Sequence, residues 1–303
     1  MQHEHPDDHG HDHDRGLAHD LAIMTQQLQR RQALRWFAGA GTAALVAGCS
    51  DSSSGSTDTA TVASPAATPT PTATPTPTPT TTTTSGSCIA DPAETAGPYP
   101  ADGTNTASGS TSNTLTINGI VRSDIRPSFI STTTVATGVQ LVLTLTLVNV
   151  NAACAPLAGY AVYLWHCDRS GNYSLYTAAN ESYLRGVQVT DGSGQVTFTT
   201  IFPGCYAGRY PHIHFEVFSS LANATGGRYA VLTSQLALPS AVSTSIYADT
   251  TTYPASQTNF ARVSVSNDNV FGDNSAVQIA QQTPTFVAAT NGYTATATIG
   301  IAL

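Results

Sequence analysis

Arg209-Tyr210-Pro211-His212-Ile213-His214-Phe215 is the stretch on which the fold and the chemistry of this chain turn. Ile213, Phe215 and, beyond them, Val217 alternate with the two histidines, which is the period of a β-strand whose successive side chains point to opposite faces. One face can pack into a core while the other sets two imidazoles side by side, close enough to share one metal ion. A half-exposed strand with its polar face in water has the same pattern, so the pair is weighed with its neighbours.

Working outward, Val, Ile, Thr, Tyr and Phe dominate from Ser108 to Leu303, in short runs separated by Gly, Asn, Asp, Ser and Pro. This is strand composition, with little that reads as a helix of useful length. Candidate strands cover residues 114–121, 139–148, 159–166, 195–201, 211–219 and 229–236, with weaker ones after Ala261. The run Thr190-Asp191-Gly192-Ser193-Gly194 is a turn by its residues. Many short strands at this spacing predict an all-β, antiparallel sandwich or barrel.

The rest of the 303 residues has a different character. His3, His5, His9, His11, His13 and His19 lie in a His/Asp-rich opening, leaving only His166, His212 and His214 further along. Arg30-Arg31 precede an apolar run of small residues ending at Cys49, a pattern similar to a twin-arginine export signal with a lipoprotein cleavage box. The run from Trp36 to Gly48 is too short for a membrane span, which takes roughly 20 residues. Residues 1–48 are therefore read as an export signal and Cys49 as a lipidated N-terminus. On this reading the protein is exported and tethered at the periplasmic or cell surface, with membrane contact only through the lipid. Residues 49–87 are rich in Ser, Thr, Ala, Gly and Pro with a Thr-Pro repeat. Such a segment buries too little apolar surface to fold and is expected to form an extended stalk. The folded unit is then residues 88–303.

From Cys49 onward seven arginines stand against thirteen Asp and Glu, a formal charge of −6, and the chain has no lysine. That balance argues against nucleic acid as a partner, since phosphates need a basic footprint. Cys88, Cys154, Cys167 and Cys205 are an even number in an exported domain, which points to disulfides with three possible pairings. No Cys-x-x-Cys pair supports a zinc finger.

Four further elements accompany the histidine pair: Thr95-x-Gly97-Pro98; Trp165-x-x-Asp168-x-x-Gly171-x-Tyr173; Pro203-Gly204-x-Tyr206; and Leu232-Thr233-Ser234-Gln235-Leu236. With Arg209-x-x-His212-Ile213-His214, and in this order, they resemble the intradiol ring-cleavage dioxygenases, closest to the protocatechuate 3,4-dioxygenase type of core. The resemblance covers residues 88 to about 238 and does not extend over 239–303. It implies an antiparallel β-sandwich of the intradiol dioxygenase type and a non-haem Fe(III) enzyme. Such an enzyme uses O2 to cleave a small aromatic diol between its two hydroxyls, giving a muconate-type diacid. By matching positions it places the metal ligands at Tyr173, Tyr206, His212 and His214. It makes Tyr206 the tyrosinate that leaves the metal and takes up a substrate proton, Arg209 the residue that stabilises developing negative charge, and Gln235 its neighbour in the pocket. Hard, anionic phenolate oxygens suit ferric iron, and neutral imidazoles complete the set.

Blander roles are weighed beside these. Tyr163, Tyr176 and Tyr210 are expected to be packed residues with satisfied hydroxyls, and His166 a packed or hydrogen-bonded residue at a strand end. Arg209 could instead serve in an ion pair with Asp168 or Glu216. The alternative for the whole domain is a catalytically silent binding module with a structural or vestigial metal site, or a zinc or copper site in the same pocket. The oligomeric state and the ring substituents of the substrate are not legible in the sequence.

Overall fold

The computed structural model describes residues 88–107 and 110–303. The expected export signal (1–48), the lipidation site Cys49 and the stalk (49–87) lie outside them. In chain order the strands are β1 (Asp102–Ala107), β2 (Ser110–Asn113), β3 (Gln140–Asn149), β4 (Ala155–Pro156), β5 (Ala161–Trp165), β6 (Arg185–Val189), β7 (Gln195–Ile201), β8 (His212–Phe218), β9 (Leu232–Ala237), β10 (Thr285–Ala289) and β11 (Gly292–Ile301). Three short helices separate the last pair from the rest: α1 (Ser240–Tyr247), α2 (Ser256–Phe260) and α3 (Ala276–Gln282).

β1 and β2 make a small ribbon, and the other strands form two facing sheets, the β-sandwich expected of an intradiol dioxygenase. One sheet runs β6-β5-β8-β9 and is antiparallel throughout. The other is built around β3, which pairs antiparallel with β7 and β4 but parallel with β11 along all ten residues. The sandwich is thus mixed at one pair rather than wholly antiparallel. The β10–β11 hairpin reverses the chain after α3 and sends β11 in the direction of β3, a long excursion of the kind parallel pairing requires.

Alternation on β3 buries Leu141, Leu143, Leu145 and Leu147, which pack between the sheets with Val162, Leu164, Phe198, Ile213, Phe215, Val217 and Leu236. Each such side chain contributes about 1.5–3 kcal/mol when fully buried. The other face of the β6-β5-β8-β9 sheet is covered too. Tyr163, Trp165, Val187 and Phe218 pack there with Leu115, Ile120, Cys167 and Tyr173. All seven residues of β8 are consequently buried.

Two expectations need correction. Residues 114–121 are not a strand: the N–H groups of Ile117 and Ile120 bond back to Thr114 and Ile117, and Gly119 takes a φ of +90°, so the segment closes into turns. The strand Arg185–Val189 was not foreseen, because its apolar alternation is short and opens on a charged residue. Of the four cysteines, Cys88 and Cys154 form a disulfide that ties the start of the domain to the loop after β3, whereas Cys167 and Cys205 are buried thiols.

Near that disulfide, Asp91 anchors the N-terminal segment to β11. Its Oδ2 accepts from the Gly300 N–H (2.7 Å) and from Gln281 Nε2 (3.2 Å), while Oδ1 is buried without a partner. Burial pushes this carboxyl up to about 7 against the opposing bond from Gly300. A raised folded value means that the fold favours the protonated form. The stability this provides is complete below the unfolded value near 3.8 and is lost as the pH rises to about 7. Asp91→Asn, which keeps an acceptor and carries no charge, should match the parent below pH 4 and exceed its stability at pH 8 by up to about 4 kcal/mol. Denaturant unfolding of both proteins at the two pH values checks this, and a pH-independent difference would contradict it.

Candidate functional site

Register places the site residues on the outer face of the β6-β5-β8-β9 sheet. Arg185, Trp165, His214 and Gln235 lie opposite one another in one row, and Val187, Tyr163, Glu216 and Thr233 in the next. His212 shares that face with His214, because the two are separated by one residue on β8. Trp165 stacks on His214, with ring centroids 4.8 Å apart and planes 6° from parallel. His212 Nδ1 lies 2.6 Å from the Tyr210 carbonyl, to which it donates. The Nε2 lone pair is thereby directed into the site.

Two loops bring tyrosines to these imidazoles. The first leaves β5 and turns at Asp168, the Oδ1 of which accepts from the N–H groups of Ser170 and Asn172, while Oδ2 accepts from the Tyr183 hydroxyl. It delivers Tyr173, buried, with its hydroxyl 3.2 Å from both His212 Nε2 and His214 Nε2. The second follows β7 and delivers Tyr206, half-buried, with its hydroxyl 3.3 Å from His212 Nε2. The two Nε2 atoms are 3.1 Å apart. Gly171 explains why the two loops fit together: its φ is +89°, and a Cβ there would meet Tyr206 Cβ at 2.8 Å.

Tyr173, His212 and His214 hold their donor atoms 3.1–3.2 Å apart, and Tyr206 stands 3.3 Å from His212, the spacing of a coordination shell, since ligands ~2.0 Å from a common ion sit roughly 3.3 Å from each other in a tetrahedral arrangement. Among the described residues no cluster of three or more His, Cys, Asp or Glu is placed to hold a metal; half of this donor set is phenolic. Burial pushes the Tyr173 phenol well above its usual value, with Tyr206 adding to the effect. Burial and then Arg209 lower His212 to about 3, and burial and then His212 hold His214 well below the ordinary imidazole value. The protein alone therefore keeps Tyr173, His212 and His214 neutral. A cation among them would favour the phenolates and leave the imidazoles as they are. His214 Nδ1 is buried without a partner.

Arg209 and Gln235 stand together beside this cluster. Arg209 Nη2 donates to Gln235 Oε1 at 2.8 Å, and Gln235 Nε2 donates to the Thr95 carbonyl at 2.8 Å, tying the N-terminal element over the sheet. Gly97, from the same element, lies against His214, with a Cβ position 3.3 Å from Cε1. Neither Asp168 nor Glu216 pairs with Arg209. Its partner is Asp268, with Nε 3.0 Å from Oδ2 and both side chains almost wholly buried. Asp268 also accepts from the N–H groups of Tyr210, Val270 and Phe271. Burial raises its carboxyl, yet Arg209 and the bond from the Tyr210 N–H hold it below the usual value. Asp268 lies in a stretch that carries no recognisable motif, and the only hint was that a buried Arg209 would need an anion.

The remaining candidates are structural. Tyr163 donates to the Pro100 carbonyl, Tyr176 donates to Asn105, and Tyr210 packs among Ala237, Val270 and Phe271. His166 is apart from the cluster, bonded to the Cys167 carbonyl and to Thr200 Oγ1, and burial lowers it to about 4.

Gly171→Ala should leave the sandwich folded with a loss of about 1–2 kcal/mol from the left-handed conformation, while displacing Tyr206 from His212. Melting temperature compared with metal uptake checks this. Unaltered uptake would contradict the close packing assigned to Gly171.

Residues 131–269 match the family model described as Dioxygenase. No curated protein matches the chain in sequence. Among solved structures, an intradiol ring-cleavage dioxygenase from Tetranychus urticae is 24% identical with a TM-score of 0.50, the match covering 71% of this chain and 95% of that one. The dioxygenase Tetur07g02040 is 25% identical with the same TM-score and the same coverage. Catechol 1,2-dioxygenase from Pseudomonas arvilla C-1 is 17% identical over 69% of this chain and 61% of its own, with a TM-score of 0.42. Residues 131–269 thus match the dioxygenase family model, and the described domain shares the β-sandwich fold of the intradiol ring-cleavage dioxygenases.

Proposed function

We propose that this protein is a non-haem Fe(III) dioxygenase that uses O2 to cleave a catechol-type diol between its hydroxyls, yielding a muconate-type diacid. The observation that carries this reading is the four-donor cluster of Tyr173, Tyr206, His212 and His214, two phenols and two imidazoles linked by donor–donor distances of 3.1–3.3 Å through His212 and Tyr173. Two phenolates and two neutral imidazoles suit a hard trivalent ion better than the borderline-soft zinc or copper. When bound there, the ion would act as a Lewis acid that shifts electron density within the coordinated diol and opens it to O2.

The chain's own residues would do the rest. Tyr206 is the more exposed of the two phenols, with a ring 74° from that of Tyr173. It is the group placed to yield its position to the diol and to hold a substrate proton on its hydroxyl. Arg209 uses Nε and Nη2 for Asp268 and Gln235, and these bonds leave Nη1 for negative charge developing on the substrate. Asp268 fixes the direction of the guanidinium. The Thr95–Gly97 element and the Trp165–His214 stack exclude water from the inner side of the cluster. We further propose that the domain is exported and works at the end of the 49–87 stalk, tethered by a lipid on Cys49. Such a placement would meet aromatic diols outside the cytoplasm.

Oxygen uptake by the purified, iron-loaded protein with catechol, protocatechuate and hydroxyquinol, recorded with the visible spectrum, tests the reading. The expected result is a tyrosinate-to-iron charge-transfer band that shifts on adding a diol, with O2 consumed and a muconate formed. A coloured protein that binds diols without consuming O2 would instead support a silent binding module. Arg209→Lys, which retains charge but not the fork, should retain colour and lower kcat by about 10²–10³. Asp268→Ala should cost about 3–5 kcal/mol of stability, because it leaves a buried guanidinium unpaired. A change below 1 kcal/mol on urea unfolding would contradict the assigned pairing.

A further inference from the structure

Arg185 is 1% exposed and uses every N–H group of its guanidinium. Nε donates to Ser174 Oγ, Nη1 to the Pro100 carbonyl and the Tyr163 hydroxyl, and Nη2 to the carbonyls of Tyr99 and Ser174, all at 2.9–3.0 Å. Each acceptor is neutral. Among the described residues, no carboxylate lies at ion-pair distance from it. A buried cation without an anion carries a desolvation cost that an apolar residue would avoid. What arginine alone offers at this position is five donors in a rigid fork.

Three chain segments meet on that fork, and at each of them a neighbouring residue is strained. Ala101 (φ 51°) follows Pro100, Leu175 (φ 68°) follows Ser174, and Leu184 (φ 57°) precedes Arg185. They are three of the five non-glycine residues with positive φ among those described. Backbone of this kind persists only where its surroundings over-determine it. Two of the segments carry groups of the candidate site. Tyr173 directly precedes Ser174, and the Tyr99 ring lies 4.9 Å from the Tyr173 ring. On the sheet, Arg185 is the β6 partner of Trp165, whose indole stacks on His214.

We propose that Arg185 is a positioning residue for this site. Its guanidinium clamps the Tyr99–Pro100 and Tyr173–Ser174 segments to the sheet at three strained junctions, and so fixes the Tyr173 hydroxyl and the Tyr99 ring beside it. It acts through Ser174 and Pro100 and touches no reacting atom. The clamp itself is independent of the bound metal; its consequence for catalysis rests on the proposed function.

The test uses Arg185→Lys and Arg185→Gln, with amide hydrogen exchange of the metal-free protein as the first readout. Residues 97–101 and 173–178 should lose protection together, by about tenfold or more, while β3 and β7 keep theirs. Ala101→Gly, which relaxes one strained junction, should restore part of the protection at 97–101 in the Arg185→Lys background. A residue that merely contributed stability would give no such local rescue. In the iron-loaded Lys variant, the charge-transfer band should shift and KM for the diol should rise more than kcat falls. If Arg185→Gln does not fold, the Lys variant decides the matter. Unchanged exchange in both segments would overturn the clamp, and an unchanged band and KM would overturn its positioning role at the site. A wild-type protein that takes up no iron would defeat the proposed function while the exchange result still decides Arg185.

Discussion

β8 is buried on both faces, and the rest of the site follows from that constraint. Its inner face, Ile213, Phe215 and Val217, is an ordinary share of the core between the sheets. Its outer face carries His212, His214 and Glu216, which cannot be covered by apolar side chains alone without leaving ring nitrogens and carboxylate oxygens unpaired. The chain covers this face with segments that arrive carrying partners: the Thr95–Pro100 element, the Tyr173 loop after β5 and the Tyr206 turn after β7. The hydrogen bond from His212 to the Tyr210 carbonyl, made within the run leading into β8, orients one ring before any of these segments docks. Of the six buried side-chain polar atoms without a protein partner among the described residues, three, His214 Nδ1, Trp165 Nε1 and Glu216 Oε2, lie on this face. Such concentration is characteristic of a surface arranged for a function and stabilised from elsewhere in the structure.

Electrostatics around the cluster is arranged in two different ways. Arg209 has its anion, Asp268, inside the fold, so the pair is close to neutral as a unit and its remaining N–H groups are fixed in direction. Arg185 has no anion and is held by neutral acceptors alone. Glu216 and Asp102, both buried, lie near each other on the far side of Tyr163, where burial and then Asp102 raise the Glu216 carboxyl well above its usual value. Positive charge is therefore retained close to the phenols, and ionisation of Glu216 is disfavoured one row further along the sheet. Arg209 thereby opposes, without overcoming, the rise that burial and Tyr206 impose on the Tyr173 phenol.

Much of this was legible in the sequence because the site is built from short motifs on regular elements. A two-residue period gives the shared face of His212 and His214, and Gly171 and Gly204 mark close approaches between loops. Gly204 would place a Cβ 2.6 Å from the Arg169 carbonyl, and Gly171 presses on Tyr206, so each glycine reports a contact from its own residue type. Asp268 and Arg185 were not legible as parts of the site. Their roles depend on which distant groups they meet, 59 residues away for Asp268 and Arg209, and nothing local records such a meeting. Residues 114–121 misled because Leu115, Ile117 and Val121 have the two-residue period of one strand face, with Ile120 beside them. Two of them, Leu115 and Ile120, are buried from a turn rather than from a ladder.

The central claim is that Tyr173, Tyr206, His212 and His214 form one iron site. X-ray absorption at the iron K-edge of the loaded protein tests this most directly. The account predicts ferric iron with a first shell of oxygen and nitrogen only, including outer-shell scattering from two imidazoles, and loss of one short oxygen ligand in Tyr173→Phe. Sulfur in the first shell, scattering from fewer than two imidazoles, or a shell unaltered by Tyr173→Phe would contradict it.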